Sequence, residues 1–363
     1  MAKCGPRWGI FATGLMVALV MAGCGDSEPT STAVGNAGGT PLEQLYAAAQ
    51  KEGEVAWQSP RSQETVQPVI EAFEKAYPGV KVKYISNKNS SQIQKLQLEQ
   101  AGRAVTLDLG MTTGSTVSTV TSEISEVVDW PKYGVASADL SLHPNLMYSW
   151  ASTGIWAYNT ERVPAADVPK SLDDLLKPQW ANKGMLAVDT GGSYTDTYVL
   201  NPELGGIPAA VAYTEKLAAQ KPTLTANGTE NIALLTSGQV ALTPTEMNLL
   251  LEQKHRGAPV ALAPLGPAGV SPTFAYVPKG APHPNAGTLL GIFLSSPEGQ
   301  QALVKVNSSK VPLTTDCSAE SVKLEIVKEM CDAGLEWEAA AKPEDFDQLS
   351  EKGDQIAKVF GVS

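Results

Sequence analysis

The chain has 363 residues, with 27 Lys and Arg set against 38 Asp and Glu for a formal net charge of −11. So acidic a body argues against a nucleic-acid binder, because phosphates reward Lys and Arg, and against direct adhesion to anionic lipid. The length suffices for two lobes rather than a single core.

Residues 1–23 read as a secretory signal. Lys3 and Arg7 give a positive start, residues 8–23 carry no charge, and the run ends in Val20-Met21-Ala22-Gly23-Cys24. Small residues before a cysteine have the layout of a bacterial lipobox. The apolar run is shorter than the ~20 residues needed to span a bilayer, which sets aside an uncleaved anchor. Cys24 is therefore expected to be the lipid-modified first residue of a mature protein that works outside the cytoplasmic membrane, tethered to it. Residues 24–40, rich in Gly, Ser and Thr, are expected to form a flexible tether. No second apolar stretch reaches a membrane-crossing length.

The body then alternates helix and strand patterns. Leu42 to Lys51 reads as a helix ended by Gly53, Val55-Ala56-Trp57 as a strand, and residues 58–62 as a polar loop. Val66, Val69, Ile70, Phe73 and Tyr77 share one helical face, which Pro78-Gly79 terminates. Val80, Val82 and Tyr84 alternate as a strand, Ile93, Leu96 and Leu98 suggest a helix, and Val105, Leu107, Leu109 and Met111 alternate again. This βαβαβ order implies a parallel sheet covered by helices.

Trp150 to Thr160 is the next strand. Lys170 to Leu176 reads as a helix, Met185 to Val188 as a strand, and Thr190-Gly191-Gly192-Ser193 as a turn. A helix over Ile207 to Ala218, a strand at Val240-Ala241-Leu242 and a helix from Met247 to about Gly257 follow. Thr273 to Val277 is a strand, Pro284 to Leu294 a helix with proline in its first turn, and a further helix runs toward Val306. The remainder reads as mostly helical and acidic.

Beyond Cys4 and Cys24, only Cys317 and Cys331 remain. In an oxidising compartment such a pair is expected to be bridged, though two buried apolar thiols would also fit. A continuous helix between them would be ~20 Å long, whereas bridged Cα atoms sit ~5–6 Å apart. A bridge therefore needs a short helix with flanks that fold back.

Ligands of open α/β sheets bind beyond the carboxyl ends of the strands. The loops so placed are Ser59 to Ser62, Thr112 to Ser115, Thr190 to Tyr194 and Thr243 to Met247, rich in hydroxyls and glycine. Each alone is an ordinary solvated turn; their recurrence after successive strands marks a site.

LEQLYAAAQKEGEVAW (Leu42 to Trp57), IEAFEKAYPGVKV (Ile70 to Val82), GIWAYNTERV (Gly154 to Val163), PKSLDDLLKPQWANKG (Pro169 to Gly184) and KGAPHPNAGTLLGIFLSSPEGQ (Lys279 to Gln300) occur in that order. In this ordered set the chain resembles the extracellular solute-binding proteins of ABC importers, in the branch that includes ferric-ion-binding periplasmic proteins. The resemblance spans Leu42 to Pro312. It implies a type II-like periplasmic-binding-protein fold, with two α/β lobes, each a mostly parallel sheet flanked by helices, joined by crossing strands. By this analogy the first lobe takes residues 41–149 and 271–315, and the second takes 150–270 and 316–363, with the C-terminal helices packed on it. The implied partners are a small-molecule solute and a membrane permease; a monomer without cofactor is expected.

The branch's ferric-ion binders hold metal through a His after the first strand, a later-loop Glu and a Tyr-Tyr pair. The matching positions here are Arg61, Thr113 and Glu246-Met247. A ferric ion needs anionic oxygen donors, and a guanidinium cannot ligate it, so no metal site is expected. Arg61 instead offers a fork for a carboxylate, phosphonate or sulfonate, and Glu246 a partner for a ligand ammonium, unless the two simply pair with each other or with solvent. Thr112, Thr113, Ser193 and Thr245 supply neutral hydrogen bonds; Ser59 and Thr190 complete the loop set, and Thr153 lies in the expected hinge strand. Trp57, Tyr158 and Tyr194 are candidate walls, or else core.

An exported hydrolase is the rival class, yet neither G-x-S-x-G nor H-E-x-x-H occurs, and His143, His255 and His283 have no metal or triad spacing. A ferric or ferric-chelate binder would also share the fold, as would a scaffold that kept it without a ligand. A non-enzymatic solute receptor is the expectation.

Overall fold

The computed structural model describes residues 39–362 apart from Ser141, Asn182 and Ala341, and apart from the side chains of Ser115 and Pro202. The expected signal over 1–23, the lipidation at Cys24 and all but the last two residues of the tether lie outside the described residues. Among these, no helix is long and apolar enough to cross a membrane.

Helix α1 (Pro41–Glu52) begins at a capping box, in which the Thr40 N–H donates to Glu43 Oε2 at 2.6 Å and the Thr40 hydroxyl accepts from the Glu43 N–H. It ends at Gly53, whose φ of 79° is the left-handed cap the sequence implied. β1 (Glu54–Ser59) leads to α2 (Gln63–Ala76), which buries Val66, Val69, Ile70 and Phe73 on the expected face. β2 (Lys81–Ser86) runs parallel to β1, α3 (Asn89–Gly102) follows, and β3 (Gly110–Thr112) comes next. Leu109 bridges Trp57 in parallel sense, so the first half of the molecule is a β2-β1-β3 sheet. β3 is shorter than the alternation over 105–111 suggests. The fully buried Asp108 carboxylate accepts from the Ala56 N–H at 2.7 Å and the His283 N–H at 2.7 Å, so a side chain does the pairing that a longer ladder would have done.

After β3 a helical segment from Gly114 to Ile124 contains the short α4 (Val117–Thr119). β4 (Met147–Asn159) is the longest strand. Residues 165–180 form three separate 3-10 turns where one helix was expected at 170–176, because Pro164, Pro169 and Pro178 interrupt the stretch. β5 (Ala187–Asp189), α5 (Asp196–Leu200), α6 (Gly206–Ala218), β6 (Thr223–Thr225), α7 (Gly228–Thr236), β7 (Leu242–Glu246), α8 (Met247–His255) and β8 (Val260–Ala263) build the second half. β5 pairs with β6 in parallel and Leu186 bridges Leu242 in parallel, giving β6-β5-β7, to which β4 adds antiparallel.

β9 (Ala268–Tyr276) returns the chain. It pairs antiparallel with β4 from Met147 to Gly154 and with β3 from Phe274 to Tyr276. The β4–β9 ribbon thus belongs to both halves and is the crossing element of a two-lobed fold. α9 (Pro284–Ser295) is apolar all round and buried from Ala286 to Leu294, wedged behind the first sheet. α10 (Pro297–Val304), α11 (Glu325–Asp332), β10 (Trp337–Ala339) and α12 (Pro343–Val359) complete the chain. β10, parallel to β9, is a strand in a tail that reads as helical.

One core cluster surrounds Trp57, Phe73, Trp130 and Phe293 in the first half, another surrounds Trp156, Leu175, Trp180 and Leu217 in the second, and a third joins Phe274, Met330, Trp337 and Phe346. Cys317 and Cys331 form a disulfide with Cα atoms 5.9 Å apart. α11 is only eight residues long and the chain before it folds back through a turn at Ser321–Lys323, the geometry a bridge required.

Candidate functional site

The end of β1 is built around Arg61. Its carbonyl accepts from the Tyr84 hydroxyl at 2.8 Å and the Ser86 hydroxyl at 2.9 Å, and its N–H donates to Ser59 Oγ at 3.3 Å. The backbone is thereby clamped, with buried Ser59 as support rather than as an open contact. The half-buried guanidinium lies 5.8 Å over the Trp150 ring, and Nη1 makes one long bond of 3.4 Å to the Val306 carbonyl. Among the described residues no carboxylate lies within ion-pair distance of it. Burial lowers the Arg61 pKa from its ordinary value, and the charge of Glu246 acts most strongly in the opposite sense. Glu246 is half-buried at the start of α8 and makes no side-chain capping bond. Arg61 and Glu246 therefore sense each other's charge without closing into a pair.

The β3 and β5 ends form a second group. Thr113 Oγ1 donates to the Pro272 carbonyl at 3.0 Å and lies 3.4 Å from Ser271 Oγ. Ser193 donates through its hydroxyl (2.8 Å) and its N–H (3.3 Å) to the two oxygens of Asp189, which stiffens the turn that Thr190 enters through its bond to Thr225. A cavity of about 270 Å³ lies here, with Gly114, Asp189, Ser193, Asp196 and Ser271 among its walls.

The ribbon connects the two groups. Ser152 on β4 faces Ser271, and two residues on, Gly154 faces both Glu246 and Gly269. Two residues of strand span about 7 Å, and the Gly154–Gly269 step presents no side chains between them.

Other expected residues are turned inward. Thr112 is buried and bonded to Thr116 at 2.8 Å, and Thr245 is buried on the Gly228 carbonyl at 3.2 Å. Tyr194 packs 5.9 Å from Trp156, and burial raises its pKa. Tyr158 packs on the second core cluster. Thr153 is fully buried, and its hydroxyl finds no partner among the described residues. Trp57 is no cleft wall: it is fully buried, edge-on to Tyr84. It shares the inward face of β1 with Val55, the period-2 signal that the sequence already carried.

Asp189, Asp196 and Ser271 were missed. Asp189 immediately precedes the expected turn, and a carboxylate four residues before a serine is a recognisable cap partner. Ser271 and Asp196 carry no comparable local signal. Among the described residues no group of three His, Cys, Asp or Glu side chains is placed to hold a metal ion.

A family model described as bacterial extracellular solute-binding protein matches residues 69–329. Solved structures share the fold. Iron-bound HitA from Pseudomonas aeruginosa superimposes with a TM-score of 0.65 at 18% identity, covering 84% of this chain and 99% of that one. An ABC transporter substrate-binding protein from Bradyrhizobium japonicum gives 0.67 at 15% identity over 85% and 99%. A structure titled Atu4243-GABA receptor gives 0.65 at 16% identity over 84% and 95%. No curated protein matches the sequence.

Proposed function

The chain belongs to the bacterial extracellular solute-binding protein family, and we propose that its solute is a small organic anion or zwitterion held between the lobes for delivery to an ABC permease. The observation that carries this reading is the Arg61 guanidinium, partly desolvated and without a carboxylate partner among the described residues. An arginine fork in that state favours a bidentate carboxylate, phosphonate or sulfonate. Glu246 across from it suits an ammonium on the same solute, which makes a zwitterion the better fit.

Bare ferric ion is the weaker reading. The positions that the branch uses for metal hold Arg61, Thr113, Glu246 and Met247, which supply one anionic oxygen donor group. The neighbours named for iron and for GABA span both readings, at identities that speak to fold alone. We assign residues 41–149 and 271–315 to the first lobe and 150–270 to the second, hinged on the β4–β9 ribbon. A solute touching both lobes binds the closed state better and shifts the population toward it. Export, anchoring through Cys24 and action as a monomer complete the proposal.

A thermal-shift panel of γ-aminobutyrate, aminoalkyl phosphonates, small dicarboxylates, ferric citrate and ferric chloride tests it. Stabilisation by organic anions or zwitterions, reduced in Arg61→Ala at equal ligand concentration, is expected. Stabilisation by ferric chloride alone would overturn the solute class.

A further inference from the structure

α12 follows the residues that the family model matches. It does not pack on the second half alone. Near its start, Asp347 accepts from the Ser118 hydroxyl on α4 with both oxygens at 2.9 Å, and buried Phe346 sits edge-on to Phe274 of the ribbon, centroids 6.2 Å apart. One and a half turns later Lys352, 2% exposed, donates to the Gly192 carbonyl at 2.7 Å and to Asp196. Ile356 then packs so tightly on Gly192 that a Cβ there would come within 2.6 Å of it. Gly192 also has a φ of +66°, so this contact requires glycine twice over.

A lysine is almost never buried to this degree unless paired. Here the pairing joins the tail of the chain to the start of α5, 156 residues away in sequence, and the bond to the Gly192 carbonyl joins it to the turn after β5. Leu349, Ser350 and Lys352 line the same 270 Å³ cavity as Gly114, from the β3 end, and Ser193, from the β5 end. The helix therefore touches the loop sets of both halves and the space between them.

We propose that α12 is a fixed wall of the solute cleft, bridging the loop after β3 to the turn after β5, with Lys352 as the positioning residue that holds the turn at 190–193. The two halves are tied on the α12 side, and solute enters from the side of Arg61 and Glu246. The proposal rests on the cleft assigned above, but its test uses protein without solute, so the two readings fail separately.

The test is hydrogen–deuterium exchange by mass spectrometry on the full-length chain in detergent, dialysed free of small molecules. Lys352→Met alone would leave Asp196 without its counter-charge, so the informative variant is the charge-matched pair Lys352→Met with Asp196→Asn. Exchange is expected to rise about tenfold or more both in 189–196 and in 112–119, with α9 unchanged. Asp347→Ala, which cuts only the other anchor, is expected to raise exchange in 112–119. If the paired variant loosens 189–196 while 112–119 keeps its wild-type rate, α12 is no bridge. If α9 loosens equally, Lys352 serves the fold at large and the positioning role is overturned.

Discussion

Replacing Arg61 by alanine separates binding from folding. Within the chain the side chain makes one bond of 3.4 Å to Val306 and a cation–π contact at 5.8 Å to Trp150. A bond of that length contributes little, and the ring contact of a half-buried guanidinium is worth about 1 kcal/mol, between the exposed and the desolvated values. Relief from partial burial of an unpaired charge offsets part of even that. The solute-free variant should therefore melt within about 2–4 °C of wild type, the shift that 1 kcal/mol produces in domains of comparable size. The bound state differs. A charge-assisted bond to a solute oxyanion contributes about 1.5–3 kcal/mol, so affinity should fall about 10- to 150-fold. Arg61→Lys keeps charge but not the fork and should recover only part of the loss. Titration calorimetry with whichever anion the thermal-shift panel identifies, alongside differential scanning calorimetry of the solute-free proteins, reads both quantities. Unchanged affinity in Arg61→Ala, or a large drop in the solute-free melting temperature with affinity intact, would refute the reasoning.

Three further outcomes are expected. Intact-mass analysis should show a two-hydrogen gain on reduction of Cys317–Cys331, and the Cys317→Ser/Cys331→Ser variant should lose about 3 kcal/mol, the chain-entropy value for a loop of this size; no mass change means no bridge in solution. Cys24→Ser should move the protein from the membrane fraction to the soluble fraction, since durable anchoring needs the lipid; full retention in membranes counts against lipidation. Small-angle scattering should report compaction at saturating solute, and an unchanged radius would remove the closing hinge.

The first half of the fold was legible because its apolar residues recur with clean periods. Val66, Val69, Ile70 and Phe73 mark one helical face, and all four are buried as spaced. β6, β8 and β10 were not legible, since strands of three or four residues carry too few alternations to register. The 3-10 turns over 165–180 carry helix-like composition, but prolines decide their geometry. At the site, loop position was readable from strand ends for Arg61, Thr113 and Ser193, but the loop expected over 243–247 is strand β7 itself with the start of α8, so Glu246 sits at a strand end rather than in a loop. Which hydroxyls turn inward could not be read, because Thr112, Thr113 and Thr245 are alike in sequence: Thr112 bonds to Thr116 four residues on, whereas Thr113 and Thr245 find partners at Pro272 and Gly228 that only the fold brings near. Lys352 was invisible for the same reason. In the acidic, lysine-dotted stretch of α12 it reads as a solvated charge, and only the partner at Asp196 reveals otherwise.

The most direct test is native mass spectrometry of the full-length protein released gently from detergent immediately after purification. The account predicts a bound small organic molecule, free of iron, that dissociates on denaturation and is depleted in the Arg61→Ala protein. A bound mass equal to iron alone, retained in Arg61→Ala and accompanied by visible colour, would contradict it.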